Sequence, residues 1–124
     1  MDFKGTIVEE SLKDKSILAD LKVLDTSVED VNDEDQTPWL KQWTVLTVEV
    51  PEEQAQAMAE KLTRALEDEH AWYADFKNDK RHYIIFKDKF FDVDRAQTDG
   101  YAAAKAYGLS LGIPEQQLDF SPEI

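Results

Sequence analysis

No cysteine occurs among the 124 residues, which excludes disulfides, thiol nucleophiles and cysteine-ligated zinc and fits a reducing compartment. Four glycines are too few for a phosphate-cradling loop, and neither G-x-x-x-x-G-K-[ST] nor G-x-G-x-x-G is present. Two histidines cannot by themselves form a histidine-rich metal site. H-E-x-x-H is also missing. No apolar run approaches the ~20 residues of a membrane-spanning helix. Met1-Asp2-Phe3-Lys4 lacks the charged-then-apolar pattern of an export signal, so a soluble, cytoplasmic protein is expected. Positive charge is scarce as well: 14 Lys and Arg face 27 Asp and Glu, a net charge of −13. Binding nucleic acid requires neutralised phosphates, and binding a membrane surface requires attraction to anionic headgroups, so neither partner is expected. The acidity serves solubility first, and it leaves a basic protein, a cation or a neutral small molecule as compatible partners.

What is present suits one folded domain spanning 1–124. The hydrophobic fraction is 42%, and three Trp, four Tyr and six Phe can supply a core. Phe3 to Glu10 alternates and reads as a strand. Ser11-Leu12-Lys13-Asp14 resembles a helix N-terminus, followed by Ile17, Leu18 and Leu21 on one face of a short helix. Val23 to Val31 returns to β character. After a polar loop closed by Pro38, Gln42 to Val50 alternates with apolar groups on both faces, as an interior strand does. Pro51 suits a first helical turn, with Glu52 and Glu53 at the positive end of the dipole. Ala55, Met58, Ala59, Leu62, Ala65 and Leu66 then recur at helical spacing. Strands at Ala71 to Lys77, Arg81 to Phe86 and Phe90 to Val93 form a meander with turns at Asn78-Asp79 and Lys87-Asp88. A last helix from Gln97 to Tyr107 buries Tyr101, Ala104 and Tyr107 and ends at Gly108. Beyond it, Leu118 and Phe120 are available for docking.

This order predicts an α+β domain: a mainly antiparallel sheet with helices on one face. Its first part fits a ferredoxin-like βαββαβ unit, to which the C-terminal meander and helix are added.

The densest chemistry lies between His70 and Asp94, which holds seven of the thirteen aromatic residues and a nearly even balance of charge. A two-residue turn at Asn78-Asp79 would set Asp75 opposite His82, Tyr73 opposite Ile84 and Ala74 opposite Tyr83. A carboxylate beside an imidazole is a competent acid/base pair, yet cross-strand opposite charges are also a routine sheet contact. Trp72, Phe76 and Tyr83 share a face, with Arg81 near the tip. They form either a stacking surface for a flat ligand or the packing face of the sheet. The candidate binding residues are therefore Trp72, Tyr73, Asp75, Arg81, His82 and Tyr83. No catalytic residue, metal ligand or cofactor is assigned. Asp30, Asn32 and Glu34 alternate as calcium-binding oxygens do, but the glycine of the EF-hand pattern is missing. His70 follows Glu67-Asp68-Glu69 near a helix C-terminus, where the dipole favours its charged form.

TPWLKQWT at Thr37 to Thr44, HAWYADFKND at His70 to Asp79, HYIIFKDKFFDVDR at His82 to Arg95 and YGLSLGIPEQQLDF at Tyr107 to Phe120 carry a resemblance. By them the chain resembles an uncharacterised family of small bacterial cytosolic proteins. The resemblance implies a free-standing single domain and brings no catalytic residue, substrate or cofactor with it. The expected function is a non-enzymatic binding or protein-interaction module, with a homodimer or another protein as partner. The alternatives are a small enzyme with an acid/base pair at Asp75 and His82, and an immunity-like acidic inhibitor of a basic protein.

Overall fold

The computed structural model describes residues 2–30, 42–67, 72–96 and 99–113. Six strands run β1 Phe3–Val8, β2 Lys22–Asp30, β3 Gln42–Val50, β4 Tyr73–Lys77, β5 Arg81–Phe86 and β6 Lys89–Asp94. Two α-helices, α1 Ala55–Ala65 and α2 Asp99–Ser110, follow β3 and β6. All strand pairs are antiparallel, in the order β2-β3-β1-β4-β5-β6. Thus β3 sits between β1 and β2, and β1 sits between β3 and β4. This is the split arrangement of a ferredoxin-like unit, extended past β4 by the β5–β6 hairpin.

Alternation along the strands divides the sheet into two faces. On one, Phe3 and Ile7 of β1 join Leu46, Val48 and Val50 of β3, Ala74 and Phe76 of β4, and Tyr83 and Ile85 of β5. Against them α1 lays Met58, Ala59, Leu62 and Ala65, and Leu66 just beyond it completes the layer. Leu62, Leu66, Phe76 and Ile85 are fully buried. Each such side chain contributes roughly 1.5–3 kcal/mol relative to exposure. On the opposite face, Ile84 and Phe86 of β5 and Val93 of β6 pack against Tyr101 and Ala104 of α2 and against Ile113. The α+β class and the antiparallel sheet are as expected, but the helices are not all on one face. Successive residues of β5, His82 to Phe86, are buried without interruption, so both of its faces need a cover.

Local differences have local causes. The segment after β1 forms 3₁₀ turns at Glu9–Ser11 and Lys15–Asp20 rather than an α-helix. Asp14 caps the second turn by accepting the Ser16 N–H at 3.0 Å. Ser11 instead donates to the Val8 carbonyl at 2.6 Å. Pro51 is extended (φ −58°, ψ 140°) and precedes a 3₁₀ turn, Glu52–Gln54, that leads into α1. Gly108 lies inside α2; the helix ends at Ser110, and the chain turns away at Gly112, which takes φ 91°. The Ile113 N–H reaches back to the Gly108 carbonyl at 3.1 Å. His70, Asn32, Glu34, Leu118 and Phe120 lie outside the described residues.

Candidate functional site

The β4–β5 hairpin turns one residue later than the sequence suggests. Asn78 uses its side-chain Oδ1 to accept the N–H groups of Lys80 (2.9 Å) and Arg81 (2.8 Å), an Asx turn that moves the reversal to Asp79-Lys80. The register therefore pairs Asp75 with Ile84, Ala74 with Ile85, Tyr73 with Phe86 and Lys77 with His82. Moving a hairpin turn by one residue shifts the pairing by two, and a shift of two preserves which residues share a face. Asp75 and His82 are not directly opposite but diagonal neighbours on the α2 face. Their side chains still meet, with His82 Nε2 2.7 Å from Asp75 Oδ2.

The imidazole is 1% exposed, sealed beneath α2. Its other nitrogen, Nδ1, lies 2.9 Å from the Tyr101 hydroxyl. A carboxylate can only accept, so Nε2 carries the proton toward Asp75; on the neutral ring Nδ1 then accepts the Tyr101 O–H. The Arg95 guanidinium, which donates to the Asn78 carbonyl, lies beside the Tyr101 hydroxyl. Burial raises the Tyr101 hydroxyl above its ordinary titration range; Arg95 opposes the rise and Asp75 adds to it. The result is a polar chain, Arg95–Tyr101–His82–Asp75, that ties α2 and the end of β6 to the hairpin. His82 and Tyr101 are buried, while both ends are partly exposed: Arg95 lines a hollow at the hairpin tip and the Asp75 side chain is 25% exposed.

Asp75 opens onto a cleft of about 460 Å³ over β1, β3 and β4, on the part of that face beside α2. Among the described residues its wall comprises Thr6, Val8, Glu29, Trp43, Val45, Trp72, Tyr73 and Asp75. Each is placed by strand register: Thr6 opposite Asp75, Val8 opposite Val45, and Glu29 opposite Trp43. Trp43 and Trp72 meet edge to face, with centroids 5.8 Å apart and planes at 64°. The indole N–H of Trp72 donates to Glu67 Oε1 at 2.7 Å, which satisfies its one polar group. Close approach of two backbones fixes the floor. A Cβ on Gly5 would fall 1.9 Å from the Asp75 carbonyl oxygen and 2.5 Å from the Phe76 Cα.

A second and larger hollow, about 840 Å³, lies at the hairpin tip, on the other side of the sheet from the Asp75 cleft. It is lined by Phe3, Tyr83, Arg81, Lys80 and Arg95 together with Glu52, Asp79 and Asp94. Its charges are of both signs. Arg81 Nε is 2.6 Å from Asp92 Oδ1, a pairing that raises the guanidinium's affinity for its proton. Tyr83 packs against Phe3, Phe76 and Phe90, and burial pushes its hydroxyl up.

The six candidate residues are thus divided by the sheet. Trp72, Tyr73 and Asp75 line one cleft, Arg81 and Tyr83 line the other, and His82 is buried between α2 and the sheet. No single stacking face gathers Trp72, Phe76 and Tyr83 with Arg81: all three rings belong to the core, and Trp72 and Tyr83 reach different hollows at its edges. Sequence reasoning missed Tyr101 and Arg95, the far end of the polar chain, and Glu29 and Trp43, the far wall of the cleft. Tyr101 carried a signal, a hydroxyl at a position expected to be buried in the last helix. Glu29 and Trp43 carried none without knowledge that β2 pairs with β3. Among the described residues, no group of three or more His, Asp or Glu is placed to hold a metal. No described helix is long and apolar enough to cross a membrane. Comparison of the chain with protein-family models, curated proteins and solved structures found no match.

Proposed function

We propose that this chain is a non-enzymatic binding module whose recognition site is the cleft over β1, β3 and β4. The observation that carries the reading is the placement of Asp75. A buried imidazole holds its carboxylate at the edge of an aromatic-walled cleft, so one charged group is oriented before any ligand arrives. The same geometry weighs against an acid/base enzyme at Asp75 and His82. His82 has both ring nitrogens engaged under α2, which leaves it without a free nitrogen to present to a substrate.

A thermal-shift screen of metabolites, nucleotides and metals tests the proposal. Stabilisation by one ligand class, lost in Asp75→Asn and in Trp43→Leu and without chemical change to the ligand, is the expected result. Turnover of the stabilising ligand would overturn it in favour of the enzyme.

A second reading rests on β2. All nine residues of this edge strand are exposed, including Val23, Leu24 and Val28 at 40%, 41% and 59%. An open edge with apolar side chains is a surface for strand addition, by a second copy or by a basic protein drawn to Asp25, Glu29 and Asp30. Light scattering across a concentration series distinguishes the two. A dimer abolished by Val28→Lys supports self-pairing, whereas a monomer throughout leaves the edge to another protein.

A further inference from the structure

The chemistry of the cleft wall specifies its ligand more narrowly than an open cavity would. Trp43 and Tyr73, both partly exposed, and Trp72, 6% exposed and backing them from the core, supply three aromatic rings, and the two indoles meet at a corner rather than stacking flat. Glu29 and Asp75 supply two carboxylates from opposite sides, one on β2 and one on β4. No Lys or Arg is among the described lining residues, in a chain whose net charge is −13. An anion would be repelled by both carboxylates and would meet no cationic side chain among the described lining residues. A neutral flat ligand would use the rings but would need N–H or O–H donors directed at both carboxylates. A cation with an apolar shell uses both: its charge is attracted by ring quadrupoles and carboxylates, and its methyl or methylene groups pack on the indoles.

We propose that the cleft binds a compact alkylammonium group, held between Trp43, Trp72 and Tyr73 with Glu29 and Asp75 as its counter-charges. This rests on the reading that the cleft is the recognition site. Asp75 contributes a fixed charge because His82 pins one of its oxygens, while Glu29 reaches the ligand from the exposed edge strand. The wall also favours an alkylated over a bare ammonium. Three of its residues offer aromatic surface and two offer aliphatic surface, Val8 and Val45. A bare ammonium would instead need three closely spaced acceptors.

The test titrates the full chain with choline, with choline's uncharged tert-butyl isostere, and with a short peptide carrying trimethyllysine. Binding is followed by the indole N–H resonances in nitrogen-edited NMR. Choline or the peptide should move Trp43 and Trp72, and the isostere should bind roughly tenfold more weakly. Tighter binding of choline identifies a free small cation as the source, and tighter binding of the peptide identifies a protein-borne one. Glu29→Gln alters only an exposed side chain and should weaken either ligand severalfold. Asp75→Asn should weaken it at least as much, and Asp20→Asn, away from the cleft, should not. Equal binding of choline and its isostere would overturn the cation assignment and leave the cleft standing as a binding site. Failure of both cationic probes to move either indole would also overturn the assignment. Movement confined to Arg81 and Tyr83 would overturn the choice of cleft itself.

Discussion

Replacing Tyr101 with Phe isolates the polar chain from the packing around it. The ring would still fill its place among Ile84, Phe86, Val93 and Ala104, and only the hydroxyl would go. His82 Nδ1, 2.9 Å from that hydroxyl and in a residue 1% exposed, would then have no partner and no water. Leaving a buried ring nitrogen unsatisfied costs about 1–3 kcal/mol. The expected loss lies in that range, measured as a lower urea midpoint at unchanged slope. Tyr83→Phe is the control. Tyr83 is as buried as Tyr101, but its hydroxyl has no hydrogen-bond partner among the described residues and strands none when removed, so the change should cost no more than about 0.5 kcal/mol. A cycle of Tyr101→Phe with Asp75→Ala should show coupling of at least ~0.5 kcal/mol, because both residues act through one imidazole. Equal destabilisation by Tyr101→Phe and Tyr83→Phe, or strict additivity in the cycle, would refute the reasoning.

Gly5→Ala should destabilise at or beyond the ~1–3 kcal/mol usual for overpacking, because the new Cβ meets the backbone of Asp75 and Phe76 rather than yielding side chains; chemical denaturation measures it. Stability should fall at high pH. Burial makes the Tyr101 and Tyr83 hydroxyls harder to ionise in the folded chain than their ordinary value of 10.0. The native state therefore holds those protons longer, and its advantage is complete below that value and lost as pH climbs through the raised native values. Urea midpoints measured above about pH 9 should decline less steeply in Tyr101→Phe and Tyr83→Phe variants. Arg81→Ala should change stability by no more than ~1 kcal/mol despite its 2.6 Å ion pair, since both partners are more than a third exposed, and the change should shrink in added salt.

The hairpin shows how far the sequence could be read. Period-two patterning fixes which residues share a face, so the meeting of Asp75 with His82 was legible from alternation alone. The register was not, because Asn78 can serve either inside the turn or as its side-chain cap, and the cap won. Strand β3 and helix α1 were legible because each carries one uninterrupted period. The placement of α2 on the opposite face was not. Its own pattern shows that it buries Tyr101 and Ala104 but not against what. That depends on β5 being buried on both sides, a property of the assembled sheet. The far wall of the cleft was hidden for the same reason: Glu29 and Trp43 become neighbours only once β2 and β3 pair.

The central claim is that recognition takes place beside the pinned Asp75 carboxylate. Its most direct test is nitrogen-edited NMR with whichever compound stabilises the protein in the thermal-shift screen. The account predicts that the indole N–H groups of Trp43 and Trp72 and the amides of Thr6 and Asp75 move together, while those of Lys80, Arg81 and Tyr83 stay in place. Shifts confined to Lys80, Arg81, Tyr83 and Asp94 would put recognition in the hollow at the hairpin tip and contradict it.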